Sequence, residues 1–307
     1  MLRMTEKVTS VGSFVVGLTL RTERMPVAGE TGFGTDFDLG PGGKGSNQVV
    51  QARRIGLDVE IIGLVGDDNF ALIAEDLYAS EGVGTEYFNR TSDRNTAVAF
   101  IILDSAGQNR IIVDPGANEL VTPDYVEKAR SRIEDSDVVF TQLEISVEAA
   151  ATGMRLAKEA GAIALFNPAP ARAVPPEVLA NVDVLTPNET EARILLGLEP
   201  DDPIDDRDVG KRFLELGVTT LIITQGERGA LVVTKDGVMQ QDAFAVDVVD
   251  TTGAGDAFSG ALGAYLAMGT SLESAVRFAA AAGALACTKL GVIPALADRA
   301  AIEVLAQ

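Results

Sequence analysis

The chain has 307 residues, 45 acidic against 25 basic side chains and no histidine, giving a formal net charge of −20 at pH 7. That balance excludes an imidazole base, a Ser-His-Asp triad and His-ligated zinc. The single cysteine, Cys287, excludes a disulfide framework and a Cys-based zinc site. Nucleic acid is not an expected partner of so acidic a chain, and acid–base chemistry falls to Asp, Glu, Lys, Tyr or water.

With 47% hydrophobic residues, the chain is expected to fold as one α/β domain over 1–307 without a metal or disulfide staple. A charged segment, 1–7, runs directly into the first apparent strand. Apolar, β-branched runs at 8–16, 59–65, 97–103, 110–113, 138–141, 163–166, 182–185, 220–224 and 230–233 predict strands. From residue 137 they alternate with helical patterns at 146–160, 189–196 and 207–216, which points to a mainly parallel, helix-covered sheet. Runs such as Leu221-Ile222-Ile223 fit strands buried on both faces. The first 115 residues differ. A turn at 103–109 joins two apolar strands, and 15–21 and 31–39 supply further strands, so segments 15–40 and 96–114 read as a small antiparallel lid. Residues 256–288 read as two Ala-rich helices joined at Gly269. The uncharged stretch 257–272 is shorter than the roughly 20 apolar residues of a membrane span and is interrupted by Gly, Ser and Thr. No membrane partner is expected, and the cytoplasm is the expected location.

Four segments carry candidate chemistry. Residues 40–48, Gly-Pro-Gly-Gly-Lys-Gly-Ser-Asn-Gln, match neither the Walker pattern nor the dinucleotide fingerprint. The adjacent Gly42 and Gly43 allow close backbone approach to a ligand, and a helix is predicted over 47–54. On the residues alone a plain loop with a helix cap is the favoured explanation of the segment. Residues 224–229, Thr-Gln-Gly-Glu-Arg-Gly, form a turn or a phosphate contact between two strands. Residues 250–256, Asp-Thr-Thr-Gly-Ala-Gly-Asp, lead into a helix with Phe258, Ala261, Leu262 and Tyr265 on one face. The amides of Gly253, Ala254 and Gly255 at that helix start make an anion site able to stabilise a transferring phosphoryl group. Asp256 beside them can accept a proton from a hydroxyl. An N-cap role explains Asp256 but not the paired glycines. In residues 186–191, Thr-Pro-Asn-Glu-Thr-Glu, helix initiation competes with a metal–phosphate role for Asn188 and Glu191, one turn apart.

In this order the segments resemble the PfkB/ribokinase family of carbohydrate kinases, closest to its ribokinase branch, over nearly the whole chain. Gln142-Leu143-Glu144 and Asn167-Pro168-Ala169-Pro170 resemble further family segments. The resemblance implies a three-layer α/β/α fold with a β-sheet lid that closes over the sugar and mediates a homodimer. It implies phosphorylation of a sugar or sugar-like hydroxyl by ATP, with Asp256 as base and the 253–256 amides as anion hole. Gly42, Gly43, Lys44, Asn47 and Glu144 would bind the acceptor. Asn188, Thr224, Gly226 and Gly229 would bind nucleotide, and Glu191 would act on Mg2+ through water. K+ would sit at Asp250, Thr252, Ala286, Lys289 and Gly291. Phosphoryl transfer depends on positioning and electrostatics, so a chain without histidine can perform it.

Two positions depart from the pattern. The ribokinase branch has Gly-Ser-x-Asn-x-Asp after its first strand, and its Asn and Asp bind sugar hydroxyls. Here Val15 and Gly17 stand at those positions, which puts the expected acceptor away from ribose, with a nucleoside the leading variant. Ala295 stands where the K+ site has a hydroxyl. The alternative class is a non-catalytic sugar- or nucleotide-binding regulator, which has no need of Asp256. A nicotinamide-dependent dehydrogenase lacks its glycine fingerprint here.

Overall fold

A computed structural model describes residues 6–106 and 108–307. The start of the charged 1–7 segment and position 107 in the 103–109 turn lie outside it. In chain order the strands are β1 (Lys7–Val11), β2 (Val15–Thr22), β3 (Gly34–Gly42), β4 (Asp58–Gly66), β5 (Phe88–Thr91), β6 (Val98–Leu103), β7 (Asn109–Asp114), β8 (Val138–Thr141), β9 (Ile163–Phe166), β10 (Val184–Leu185), β11 (Thr220–Thr224), β12 (Ala230–Thr234) and β13 (Gly237–Gln241). The helices are α1 (Lys44–Ile55), α2 (Asn69–Glu81), α3 (Pro123–Lys128), α4 (Arg130–Glu134), α5 (Val147–Ala160), α6 (Pro176–Leu179), α7 (Glu189–Leu195), α8 (Asp206–Glu215), α9 (Ala254–Ala267), α10 (Leu272–Ala286), α11 (Val292–Ala295) and α12 (Arg299–Leu305).

Nine strands form one sheet in the order β13-β12-β11-β10-β9-β8-β1-β4-β5. It is parallel from β5 to β11, and β12 and β13 each run antiparallel to the preceding strand. Along β8, Val138 and Phe140 enter one core while Val139 enters the other; Ile222 and its neighbours Leu221 and Ile223 divide likewise in β11. Side chains of successive strand residues point to opposite faces, so a continuous apolar run is buried on both sides. Residues of α1, α2 and α9–α12 cover one face, and those of α3–α8 the other. Each large apolar side chain fully removed from water, Phe140 and Phe166 among them, stabilises the fold by about 1.5–3 kcal/mol. No helix among the described residues is long and apolar enough to cross a membrane.

The second sheet, β3-β2-β6-β7, arises from two excursions, one after β1 and one after β5; it is mixed, not antiparallel throughout as expected, because β2 and β6 belong to separate excursions and pair parallel. The expected strand 8–16 is therefore two strands in two sheets. The break at Gly12–Phe14 has a tertiary cause: the buried Asn118 side chain accepts from the Phe14 amide at 3.3 Å and donates to its carbonyl at 2.9 Å. The 182–185 strand shortens to β10. The 31–39 strand shifts to β3, and β5, β13 and α2 were not anticipated. The helix expected over 47–54 begins three residues earlier, with Gly43 as N-cap at φ 96°. A side chain there would meet the Val15 amide at 2.8 Å. Gly43 thus serves backbone packing against β2 as well as any ligand.

Candidate active site

β1, β4 and β8 meet where the chain switches direction across the sheet, and the segments after their carboxyl ends are where α/β sheets gather ligands. Ser13 follows β1; Gln142 and Glu144 follow β8. The Glu144 Oε2 accepts from the Lys44 backbone N–H at 2.8 Å and from the Ser13 hydroxyl. An acidic group at a helix N-terminus is favourable, so Glu144 fastens the start of α1 to the segment after β1.

Asp256 comes from the other side. Gly253, at φ 80°, is the N-cap of α9, and Asp256 is the third helical residue. It makes no capping bond, so the N-cap explanation of this residue does not hold. A Cβ on Gly260 would lie 2.6 Å from the Gln48 carbonyl oxygen, so glycine lets α9 close on α1. That approach buries Asp256 to 5% exposure and gives each carboxylate oxygen a donor: Asn47 Nδ2 to Oδ2 at 2.8 Å, Gln48 Nε2 to Oδ1 at 3.3 Å. The Asn47 Oδ1 is buried without a partner. Lys44, partly buried, has its ammonium pKa raised, first by the Asp256 charge, against the opposing effect of burial, with Glu144 and Glu191 adding to it.

Position 255 faces open space: a Cβ there would meet nothing within 4 Å. Gly253 is hemmed in, since its Cβ would lie 2.4 Å from Val292 Cγ1. These two glycines give a clean test. Gly255→Ala is expected to raise stability by about 0.5–1 kcal/mol, because alanine is the better helix former, yet to lower turnover if that open space receives the transferring phosphoryl group. Thermal unfolding paired with kcat reads both; unchanged turnover would remove the anion-hole role.

The 186–191 segment forms the helix start that one of its two readings expects. Asn188 caps α7 and forms a reciprocal capping box with Glu191, at 2.8 Å in each direction. Only Oε2 of Glu191 is spent on the cap. Burial pushes the Glu191 carboxyl up, opposed by the Asn188 amide and by Lys44, while Asp256 adds to the rise, which places this carboxylate within electrostatic reach of the centre. Asn188 also bridges to Thr224, whose amide donates to the Pro187 carbonyl at 3.0 Å. Beyond it, Gly226 turns at φ 57°, and a Cβ on Gly229 would lie 2.0 Å from the Gln241 carbonyl oxygen, so that glycine is required by the packing of β13. Burial pushes the Asp250 carboxyl up, but the hydroxyl and amide of Thr252 and the Gly291 amide outweigh it and hold it below the usual range. The end of α10 lies against this turn, where the Cys287 carbonyl accepts from the Val249 and Asp250 amides. The structure thus gathers Asp250, Thr252 and Gly291 around one carboxylate. It gives no bond from Ala286 or Lys289 to that turn.

Above the centre stands one face of the small sheet. Val15, Gly17, Thr19 and Arg21 alternate with Val16 and Leu18, and the latter two pack on the core while Val15 is buried outside both core clusters. Arg21 contributes to lowering the Asp250 carboxyl, so its charge acts on the 250–256 segment. Gly17 pairs with Gly40 and Ala99, Ala99 pairs with Val113, and Ile101 pairs with Ile111. The resulting surface offers few side-chain hydrogen-bonding groups close to Val15.

Sequence reasoning missed Gln48, Ser13 and Asn118 as site-building residues. Gln48 stands beside Asn47 in the 40–48 segment, but nothing in its spacing distinguishes a buried amide from a solvated one.

Fold and site together define a phosphotransferase of the carbohydrate-kinase class. The chain belongs to the pfkB family of carbohydrate kinases, whose family description matches residues 5–299. Within it the chain is a ribokinase-family sugar kinase. It is 33% identical over 296 residues to the ribokinase of Haemophilus influenzae, covering 96% of this chain and 97% of that protein. It is 34% identical over 282 residues to the deoxyribokinase of Salmonella typhi, covering 92% of each. The structure of Arabidopsis thaliana ribokinase complexed with ribose and ATP superposes with a TM-score of 0.92 at 30% identity, covering 99% of each chain.

Proposed function

We propose that this sugar kinase transfers the γ-phosphoryl group of ATP to a hydroxyl of an acceptor that turns a carbon-rich face to the small sheet. Asp256 takes the hydroxyl proton, the acceptor oxygen bonds to phosphorus, and the bond to the leaving ADP breaks. The buried Asp256 carboxylate, set beside Lys44 and below the open space at Gly255, carries this reading. The amides of residues 253–256 receive the charge of the transferring group. The orphaned Asn47 Oδ1, with Gly42, Gly43, Lys44 and Glu144, supports polar contacts on one side of the acceptor. Val15, Gly17 and Ala99 make the opposite side apolar, which disfavours a ribose hydroxyl there and fits a deoxy sugar or a nucleoside. A regulator without catalysis has no use for the buried carboxylate.

Asn188, Thr224, Gly226 and Gly229 would bind the nucleotide, with the bridge between Asn188 and Thr224 joining their two segments. The free Oε1 of Glu191 fits a water-mediated contact to Mg2+, which when bound neutralises phosphate charge. The cluster of Asp250, Thr252 and Gly291 fits K+, with the carbonyls of Ala286 and Lys289 completing the set. The far face of the small sheet exposes Phe100 and Ile112, at 51% and 74%, a surface suited to a second copy of the chain. Use of ATP fits a cytoplasmic location.

With ATP and Mg2+, ADP release is expected with at least one member of a sugar and nucleoside panel; no turnover across the panel would sink the kinase reading. Chelating Mg2+ is expected to weaken ATP binding by about tenfold or more, since the −20 field repels a bare polyanion.

A further inference from the structure

Asp256 is held by a chain of side-chain amides whose direction is fixed at one end. The Thr186 backbone carbonyl can only accept, so Asn167 turns Nδ2 to it at 2.7 Å and presents Oδ1 on the other side. That oxygen can only accept, so Gln48 turns Nε2 to it at 3.1 Å and the same nitrogen reaches Asp256 Oδ1 at 3.3 Å. Gln48 Oε1 is then left to accept, and Gln142 Nε2 donates to it at 2.7 Å. Gln48 and Gln142 are fully buried and Asn167 nearly so, and no amide in the series can flip without setting donor against donor or acceptor against acceptor.

We infer that Gln48 is the positioning residue of Asp256, locked by Gln142 and Asn167 so that Oδ1 is the anchored oxygen and Oδ2 the one that takes the acceptor proton. The asymmetry comes from the two donors. Gln48 is satisfied at both ends of its amide and has no freedom to leave. Asn47, which donates to Oδ2, has a buried Oδ1 with no partner and is therefore the amide an incoming hydroxyl can recruit. The same series joins the 186–191 segment on the phosphate side to the 142–144 segment on the acceptor side, through the base between them.

This inference rests on Asp256 being the base, and the test separates the two. Gln48→Met keeps the size of the side chain and removes the donor. It is expected to lower kcat by about 10–100-fold with little change in the KM for ATP. It is also expected to move the acid limb of the kcat profile to higher pH by about one unit, since a hydrogen bond to the ionised form favours that form. The charged groups facing the site, Lys44 from α1, Glu144 after β8 and Glu191 from α7, are the same in the variant. Gln142→Met leaves the Gln48 donations in place but strips the donor from its Oε1, so the amide is held less firmly, and a smaller shift of the same sign is expected. The double variant is expected to be no worse than Gln48→Met, because both changes break one series. A folded Gln48→Met enzyme, by thermal unfolding, with an unmoved acid limb overturns the inference. So do defects that multiply in the double variant. If Asp256→Asn retains full turnover, the base reading fails instead.

Discussion

Asp256→Asn is expected to lower kcat by about 10³-fold while leaving nucleotide affinity nearly unchanged, the range that loss of a general base produces. Steady-state ADP release and nucleotide titration measure the two quantities separately. The substitution has a structural cost as well. Asn47 and Gln48 both donate to the carboxylate, and an amide in its place presents one NH2 group to a donor, so a loss of about 1–3 kcal/mol in stability is expected. Unfolding measured alongside keeps that cost apart from the catalytic one. Lys44 reports the change independently. The Asp256 charge is the largest influence raising the Lys44 pKa. Without it, burial pushes the ammonium toward its neutral form, and any Lys44-dependent step is lost at a lower pH than in the parent enzyme. Retained turnover in a folded variant would remove Asp256 from the chemistry.

Placing hydrogen-bonding side chains on the apolar face is expected to have the next largest effect. In the pair Val15→Asn and Gly17→Asp, the second change has room: the nearest atom to a Cβ at position 17 is the Gly40 carbonyl oxygen at 3.7 Å, and position 17 lacks the positive φ that demands glycine. The double variant is expected to shift the ratio of kcat/KM for ribose over 2-deoxyribose upward by about 100-fold, since a site built to bond a hydroxyl discriminates strongly. An unchanged ratio would mean that this face does not touch the acceptor.

Much of the sheet was legible because burial on both faces forces near-continuous apolar runs, as in Leu221-Ile222-Ile223. The small sheet was legible from the 103–109 turn and its flanking strands. The break after Val11 was not, because it depends on Asn118, over a hundred residues away, bonding the Phe14 backbone. Asp256 was identifiable as a residue at a helix start between glycines, yet its depth and its two donors depend on Gly260 letting α9 close on α1. The Asn188 and Glu191 pair shows the opposite case. Helix initiation was a reading of local sequence and formed, while the reciprocal capping box and the electrostatic reach of Glu191 to Lys44 came from the structure. The absence of histidine excludes little here, since one carboxylate, a lysine and helix-terminal amides occupy the centre.

The most direct test of the two-sided acceptor site is the ratio of kcat/KM values for 2-deoxyribose, a purine nucleoside and ribose in one ADP-release assay. The account predicts that the deoxy sugar or the nucleoside exceeds ribose, and which of the two leads assigns the acceptor. Ribose preferred by about tenfold or more, an energy of about 1.4 kcal/mol, would contradict it.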